Sequence, residues 1–445
     1  LIDLPVEYQT HNPTALNLYY LCAMQKTVAL HTLGCKLNFS ETTSMGRLLE
    51  KEGFEKVDFT DVADVYVINT CSVTENADKE CRQLVRRIKR KAPDSTVVIT
   101  GCYAQLKPAE ISEIPGVNLV LGAAEKFNIA KHIQDWQPND PCKICTCDIE
   151  DVNVFTPTYS VSERTRVFLK VQDGCDYNCS FCTIPMARGK SRSNAISHVL
   201  DDVKSIAEQG VKEIVLTGIN LGDFGKGLHG GKKKEESFFE LVQALEEQNN
   251  VSRFRISSIE PNLLTEEMIE FISRSEKFMP HFHIPLQSGH NRILGLMKRR
   301  YQCELYQDRV KLIKSLMPHC CIGVDVIVGF PGETDEEFKE SAKFIEDMDV
   351  SYLHVFTYSE RDNTLAATMS GVVPVNIRNE RNAILRNLSY QKMQYFTSQH
   401  VGQKRPVLFE SANKNGMMEG YTDNYIKISS LYKKEWENQI VDWTI

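Results

Sequence analysis

No stretch of this 445-residue chain approaches the ~18 consecutive apolar residues that a membrane-spanning helix needs. The first 23 residues contain no lysine or arginine and carry Asp3 and Glu7, so an export signal is not expected there. The folded protein is expected to begin near Met24, where "QKTVALHTLGC" opens a strand-like run, with residues 1–23 an upstream extension. The net charge of -7 argues against a uniformly basic, polyanion-coating protein. The local runs "RRIKRK" (86–91), "GKKK" (231–234) and "KRR" (298–300) read as solvated faces. There is no internal repeat. There is no phosphate loop either, because "GFPGE" lacks the spacing and the lysine of that motif.

A fourth cysteine is also missing where one would be expected. Cys175, Cys179 and Cys182 in "GCDYNCSFC" are spaced C-x3-C-x2-C, and no CxxC partner pair follows downstream. A structural zinc site closes with four ligands. A disulfide framework needs an even count and an oxidising compartment. Three thiolates suit a 4Fe-4S cluster, otherwise held by four cysteines, with one iron left open. The chain holds 14 cysteines without an export signal, which points to metal or redox chemistry in a reducing cytoplasm.

Residues 24–133 alternate strand and helix: "KTVALHTLG", "ADVYVINT", "STVVIT" and "VNLVLG" are strand-like, with amphipathic segments such as "NADKECRQLVRRIKRKA" between them. That alternation predicts a doubly wound parallel sheet. Residues 134–163 are rich in Pro, Asp and Ser and aperiodic, and read as a linker, with Cys142, Cys145 and Cys147 as exposed linker cysteines. A second series follows with strands "RVFLKVQD", "EIVLTGIN", "RFRISSIE", "HFHIPLQ", "CIGVDVIVGF" and "YLHVFTYS". Six βα units predict an open partial barrel, short of the eight that close one. A long helix from about 377 and a β-rich tail from 402 complete the chain, the tail reading as a small antiparallel barrel. The expected layout is therefore a sheet domain over 24–140, a linker over 141–163, a barrel over 164–376, a connecting helix over 377–401 and a tail over 402–445.

The sheet domain carries a second trio. Cys35, Cys71 and Cys102 each stand just past a buried strand, where the chain turns toward a helix. The carboxyl ends of parallel strands line one crevice, so three strands deliver three thiols to one edge. Cys22, Cys81, Cys303, Cys320 and Cys321 read as packing residues. In the barrel, the polar residues Asn220, Ser257, Ser258, Glu260, Gln287, Ser288 and Asp325 fall at or near strand ends, where barrel sites are built.

An iron with a free position can chelate a small molecule and pass it an electron, and radical chemistry with S-adenosylmethionine is one such use. The C-x3-C-x2-C motif after a first barrel strand resembles the radical S-adenosylmethionine superfamily. "TLGCKLNFSE", "INTCSVTENADKE", "TGCYAQ", "GCDYNCSFCTIPMARGKSRS", "LTGINLGDFG", "HIPLQSG" and "DVIVGFPGET" are together similar to its methylthiotransferase family. The likeness covers essentially everything from Met24 onward. "TLGCKLN" and "NTCSVT" most resemble the branch acting on N6-threonylcarbamoyladenosine at position 37 of tRNA.

The resemblance implies two [4Fe-4S] clusters. Cys175, Cys179 and Cys182 would hold the radical cluster, and Cys35, Cys71 and Cys102 an auxiliary cluster carrying the sulfur to be donated. Two S-adenosylmethionine molecules would be used per turnover, one to methylate that sulfur and one to give the 5′-deoxyadenosyl radical that activates C2 of the adenine. Phe181 would lie near the cofactor adenine, and the strand-end polar residues would contact the cofactor's ribose, amino group or carboxylate. Arg361, after "FTYSE", would meet substrate. The tail resembles the RNA-binding domain called TRAM, in which Lys404, Arg405, Lys414, Lys427, Lys433 and Lys434, with Phe409, Tyr421 and Tyr425, would grip and stack on the tRNA anticodon stem-loop. A flavodoxin- or ferredoxin-like electron donor and a cytoplasmic location are expected, with no membrane partner. The same chemistry on isopentenyladenosine or on a ribosomal-protein aspartate, and a non-catalytic iron–sulfur RNA-binding protein, stand as alternatives.

Overall fold

The computed structural model describes residues 25–445 except 73–74, 153, 161–164, 232 and 413–414, so the upstream extension and Lys414 lie outside the described residues. Strands β1 (Thr27–Thr32), β2 (Glu55–Lys56), β3 (Val65–Thr70), β4 (Thr96–Gly101), β5 (Leu119–Leu121) and β6 (Lys143–Cys145) form one parallel sheet. Their order is β2-β1-β3-β4-β5-β6. All six residues of β3 are buried, as a strand covered on both faces requires. Alternate residues serve opposite faces. Val65 and Val67 pack with Met45 and Leu49 of the helix Lys36–Lys51, while Tyr66 and Ile68 pack with Leu84, Val85 and Ile88 of the helix Glu75–Lys91.

The stretch expected as an unstructured linker is partly built into both neighbours. Residues 143–145 extend the sheet as β6, with Val120 opposite Ile144. Strand β7 (Thr158–Tyr159) adds antiparallel to the first barrel strand. The unpaired edges of the flanking strands supply hydrogen-bond partners that a weakly patterned segment can satisfy. Its cysteines are accordingly half-buried rather than exposed: Cys142 packs on the sheet core and the Cys145 sulfur lies 3.6 Å from His132 Nδ1.

The six barrel strands expected are present: β8 (Arg166–Lys170), then, after the short β9 (Gln172–Asp173) and β10 (Arg192–Ser193), β11 (Glu213–Thr217), β12 (Arg253–Ile256), β13 (His281–His283), β14 (Cys321–Val328) and β15 (Tyr352–Thr357). β8, β11 and β12 pair in parallel, as do β13, β14 and β15, and the bridge Ser258–His283 joins the two sets. Residues alternate with period two. Val167, Leu169, Ile214, Leu216, Phe254, Ile256, Phe282, Ile322, Val324 and Val326 belong to the main core. The intervening positions, among them Arg166, Glu213, Arg255, His283, Asp325 and His354, are polar and face the lumen.

The connecting helix runs Val375–Ser398 and leads into β16 (Lys404–Ala412), β17 (Met417–Thr422), β18 (Lys427–Leu431) and β19 (Ile440–Thr444). These make an antiparallel sheet in the order β18-β17-β16-β19. The sheet floors the barrel at the amino-terminal ends of its strands. Arg166 pairs with Glu410 at 2.9 Å, Arg253 donates to the Pro406 carbonyl at 3.0 Å, and Tyr425 stacks on His281 at 4.2 Å. Two of the aromatics expected to stack on RNA are therefore spent inside the protein. Phe409 is fully buried against Trp436 and Trp443, and Tyr425 lies between His281 and Tyr421. Tyr421 itself lies under the Arg166 guanidinium. A four-stranded sheet this small gains its core by turning aromatics inward and covering the barrel floor. No helix among the described residues is long and apolar enough to cross a membrane.

Candidate functional site: two facing cysteine trios

Cys35, Cys71 and Cys102 stand past the carboxyl ends of β1, β3 and β4, which are adjacent in the sheet. β1 and β3 flank the point where strand order reverses, the crevice where open parallel sheets bind ligands. Two glycines let the loops meet there. A side chain at Gly34 (φ +101°) would come 2.5 Å from Cys71 Cβ and 2.9 Å from its sulfur. One at Gly101 (φ +97°) would come 2.3 Å from the Thr70 carbonyl oxygen. Cys35 faces water, while Cys71 and Cys102 are buried.

The second trio occupies the loop after β9. Each sulfur meets an N–H donor: Tyr177 N at 3.4 Å from Cys175, Ile184 N at 3.4 Å from Cys182, and Arg299 Nη1 at 3.2 Å from Cys179. Burial pushes the Cys175 and Cys182 thiols up to about 12. Donors aimed at sulfur orient and tune metal thiolates, and a bound cation reverses the effect of burial. This donor set fits an iron–sulfur cluster.

Beside it lies a cavity of ≈240 Å³ lined by Phe181, Cys182, Gln287, Asp325, Phe356 and Tyr358 among others. The Tyr358 hydroxyl has no partner among the described residues. Nor has either amide atom of Asn220, a residue only 2% exposed. A buried amide with nothing to bond is costly unless a ligand satisfies it. Gln287 holds φ +68° and bridges to β14 through its backbone, donating to the Asp325 carbonyl at 2.8 Å. Ser257 is buried and Ser258 half-buried beside β13.

Three of the expected contact residues have partners within the protein. Glu260 is engaged by Arg299, the guanidinium that also donates to Cys179, so it orients that cation. The Ser288 hydroxyl accepts from His290 N at 3.3 Å and shapes the turn after β13. Arg361 is buried and donates to the Ser72 carbonyl at 2.7 Å and to Asp78 at 3.0 Å, both in the sheet domain. Its guanidinium fastens the loop after β15 to the Cys71 loop, because the sheet domain covers the open side of the barrel.

A buried ionic cluster joins the segments that carry the trios, and almost nothing in the sequence pattern marks it. Glu41, fully buried, accepts from Arg188 at 3.0 Å and pairs with Lys126 at 2.9 Å and Lys170 at 3.3 Å. Asp173, two residues before Cys175, accepts from Arg188 at 3.1 Å and Lys170 at 3.3 Å. Arg188 also donates to Asn38 at 2.6 Å, and Asn38 donates to the Leu33 and Thr70 carbonyls next to Cys35 and Cys71. Burial alone would raise the Glu41 carboxyl, but Arg188, Lys126 and Lys170 hold it well below the usual carboxylate range. The one faint signal was Asn38 and Glu41 three apart, on one helix face.

Comparison with known proteins agrees with this geometry. The Uncharacterized protein family UPF0004 matches residues 27–122, the sheet domain with the first trio, and the Radical SAM superfamily matches residues 169–345, the barrel with the second. Among solved structures, the radical S-adenosylmethionine methyltransferase TsrM of Kitasatospora setae shares the fold, with TM-score 0.55, 15% identity, and 74% of this chain and 73% of that one covered. The two matched regions and the barrel define a radical S-adenosylmethionine enzyme. The threonylcarbamoyladenosine tRNA methylthiotransferase MtaB of Bacillus subtilis is 42% identical over 90% of each chain, and that of Aquifex aeolicus 38% identical over 92% of this chain and 97% of its own. A tRNA-2-methylthio-N(6)-dimethylallyladenosine synthase of Staphylococcus aureus is 29% identical over 94% and 82%. The chain belongs to the threonylcarbamoyladenosine tRNA methylthiotransferase family.

Proposed function

We propose that this enzyme converts N6-threonylcarbamoyladenosine at position 37 of tRNA to its 2-methylthio derivative. The observation that supports the reading is one buried ionic cluster that ties the segment before Cys175 to the helix that follows Cys35. Cys175, Cys179 and Cys182 would hold a [4Fe-4S] cluster with S-adenosylmethionine, and Cys35, Cys71 and Cys102 a second cluster as sulfur donor. Together these groups supply the radical and sulfur chemistry that an unactivated aromatic C–H demands.

The chain's own residues do the positioning. Phe181, Gln287 and Asp325 line the cofactor cavity, and Asn220, Ser257 and Ser258 offer it polar contacts. Arg299, held by Glu260, donates to the Cys179 sulfur. The sheet domain closes the open side of the barrel and limits water there.

The layout with boundaries near 140, 163, 376 and 401 serves this reaction. The C-terminal sheet acts as a TRAM-like RNA contact through the exposed Lys433 and Lys434, with Lys433 lying over the Trp436 ring at 3.9 Å. Lys404, Arg405 and Lys427 are paired with Asp442, Asp423 and Glu419, and so contribute less. A flavodoxin- or ferredoxin-like protein supplies electrons in the cytoplasm, and two S-adenosylmethionine molecules are consumed per turnover.

The test uses anaerobically reconstituted enzyme with dithionite, S-adenosylmethionine and an anticodon stem-loop bearing threonylcarbamoyladenosine, followed by nucleoside mass spectrometry. The expected result is a mass gain equal to replacing one hydrogen by SCH3. Deoxyadenosine without modified RNA would overturn the substrate assignment. No deoxyadenosine from protein carrying iron would overturn the chemistry.

A further inference from the structure

The sheet edge that carries Cys35, Cys71 and Cys102 carries a further cysteine that the reaction above leaves unused. Cys145 ends β6, the outermost strand on that side. It pairs in register with Leu121 of β5, and Leu121 pairs in turn with Thr100 of β4. Parallel neighbours lie about 4.8 Å apart, so the Cys145 backbone stands about 10 Å across the sheet from Thr100, just before Cys102. Gln105, on the helix Cys102–Leu106, donates to the Cys147 carbonyl at 3.0 Å and ties the segment after β6 to that loop.

The Cys145 thiol faces a base. Its sulfur lies 3.6 Å from Nδ1 of His132, on the helix Ile129–Asp135, and His132 Nε2 lies 2.8 Å from Glu125 Oε2. Glu125 also accepts from Asn128 Nδ2 at 3.1 Å. These hydrogen bonds hold its carboxyl below the usual range, so it acts only as an acceptor. Nε2 therefore carries the ring proton, and Nδ1 turns its lone pair to the thiol. Nucleophile, base and orienting carboxylate stand in the order of an activated cysteine. Burial pushes the Cys145 thiol up, so the resting pair is a thiol and a neutral imidazole, and the proton moves as sulfur attacks. Cys145 is half-buried on an edge strand whose Lys143 and Ile144 are exposed, which leaves a reagent a way in. Cys142 packs on the opposite core.

We propose that Cys145 is a sulfur-loading site, which takes a sulfane sulfur from a persulfide donor and holds it as its own persulfide. The inference rests on the methylthio reading above, in which each turnover removes one sulfur from the protein. His132 Nδ1 takes the Cys145 proton, and the thiolate attacks the outer sulfur of a donor R–S–SH. A new S–S bond forms as the donor's S–S bond breaks, and the proton passes to the departing thiolate. Cys145–SH and R–S–SH become Cys145–S–SH and R–SH, with no net oxidation. Attack on an S–S bond places charge only on sulfur, so the site needs neither a deep pocket nor an oxyanion hole. Onward release as sulfide takes two electrons, drawn from the electron donor that serves the radical step.

The test treats reconstituted holoenzyme anaerobically with glutathione persulfide whose outer sulfur is a heavy isotope, then alkylates, digests and maps peptides by mass spectrometry. The Cys145 peptide is expected to gain one labelled sulfur. His132→Gln should slow that gain about 100-fold at neutral pH, the reach of a general base. The deficit should shrink as pH rises, because the thiolate then forms without help, a response that a packing role for His132 would not give. In turnover with the threonylcarbamoyladenosine stem-loop, Cys145→Ser should keep a first round and lose labelled sulfur from the product of later ones. Label on Cys142 or Cys147 in place of Cys145, equal loading rates with and without His132, or wild-type labelling of product by Cys145→Ser overturns the inference. Loading is read on the protein itself, so the two readings fail separately. Labelled Cys145 with no methylthio product would strike the substrate reading alone, and product with unlabelled Cys145 would strike this inference alone.

Discussion

Arg299 donates to the Cys179 sulfur at 3.2 Å and is itself held by Glu260. A cation on one ligand sulfur favours the more negative, reduced form of a cluster, since hydrogen bonds and charge at the sulfurs set its potential. Arg299→Gln should lower the midpoint potential of the barrel cluster by about 60 mV, tenfold in a one-electron equilibrium. Redox titration followed by electron paramagnetic resonance reads it, and an unmoved potential would leave Arg299 only a packing role. The cysteines divide by trio. Cys102→Ala should retain S-adenosylmethionine cleavage and lose sulfur insertion, whereas Cys179→Ala should lose both. Deoxyadenosine and methylthio product measured side by side distinguish the two, and equal loss would contradict the division of labour.

Among elements, the contact between helix Lys36–Lys51 and the loops around Asp173 and Arg188 is ionic and dry. Glu41→Gln leaves Arg188, Lys126 and Lys170 short of a counter-charge, and breaking a buried ion network from one side costs about 3–5 kcal/mol. The pH dependence follows from the depressed carboxyl. Its folded-state value lies below the ordinary 4.5, so its stabilisation is complete above 4.5 and drains away as pH falls toward the folded value. Urea midpoints of cluster-free protein should drop on acidification below about pH 4.5, more steeply in wild type than in Glu41→Gln. Parallel slopes would show that Glu41 does not govern the acid response.

For the whole molecule, the sheet domain and barrel are fastened by the Glu41–Arg188 cluster and, at the loop after β15, by Arg361 on Ser72 and Asp78, with Lys107 paired to the neighbouring Asp362 at 2.8 Å. Loosening the second clasp should leave each trio intact but disturb their spacing. Arg361→Ala is expected to raise deoxyadenosine formed per methylthio product about tenfold, the cost of losing near-attack placement. An unchanged ratio would mean the remaining fastenings are sufficient.

Local pattern in the sequence was enough to determine the alternating strands and helices, the six barrel strands and the two cysteine trios. Each rests on near neighbours along the chain: β-branched runs, helical spacing, C-x3-C-x2-C, a cysteine just past a strand. The residues that needed tertiary structure are those whose partner lies far away in sequence. Arg361 reads as a substrate contact until Ser72 and Asp78, nearly three hundred residues earlier, are seen against it. Phe409 and Tyr425 read as RNA-stacking aromatics until the barrel floor is seen to cover them. Glu41, Lys126, Lys170, Asp173 and Arg188 are scattered along the chain, and only burial brings them together. Backbone periodicity and motif spacing are local and survive in one dimension. Which charge meets which is decided by chain closure, and only the folded molecule performs it.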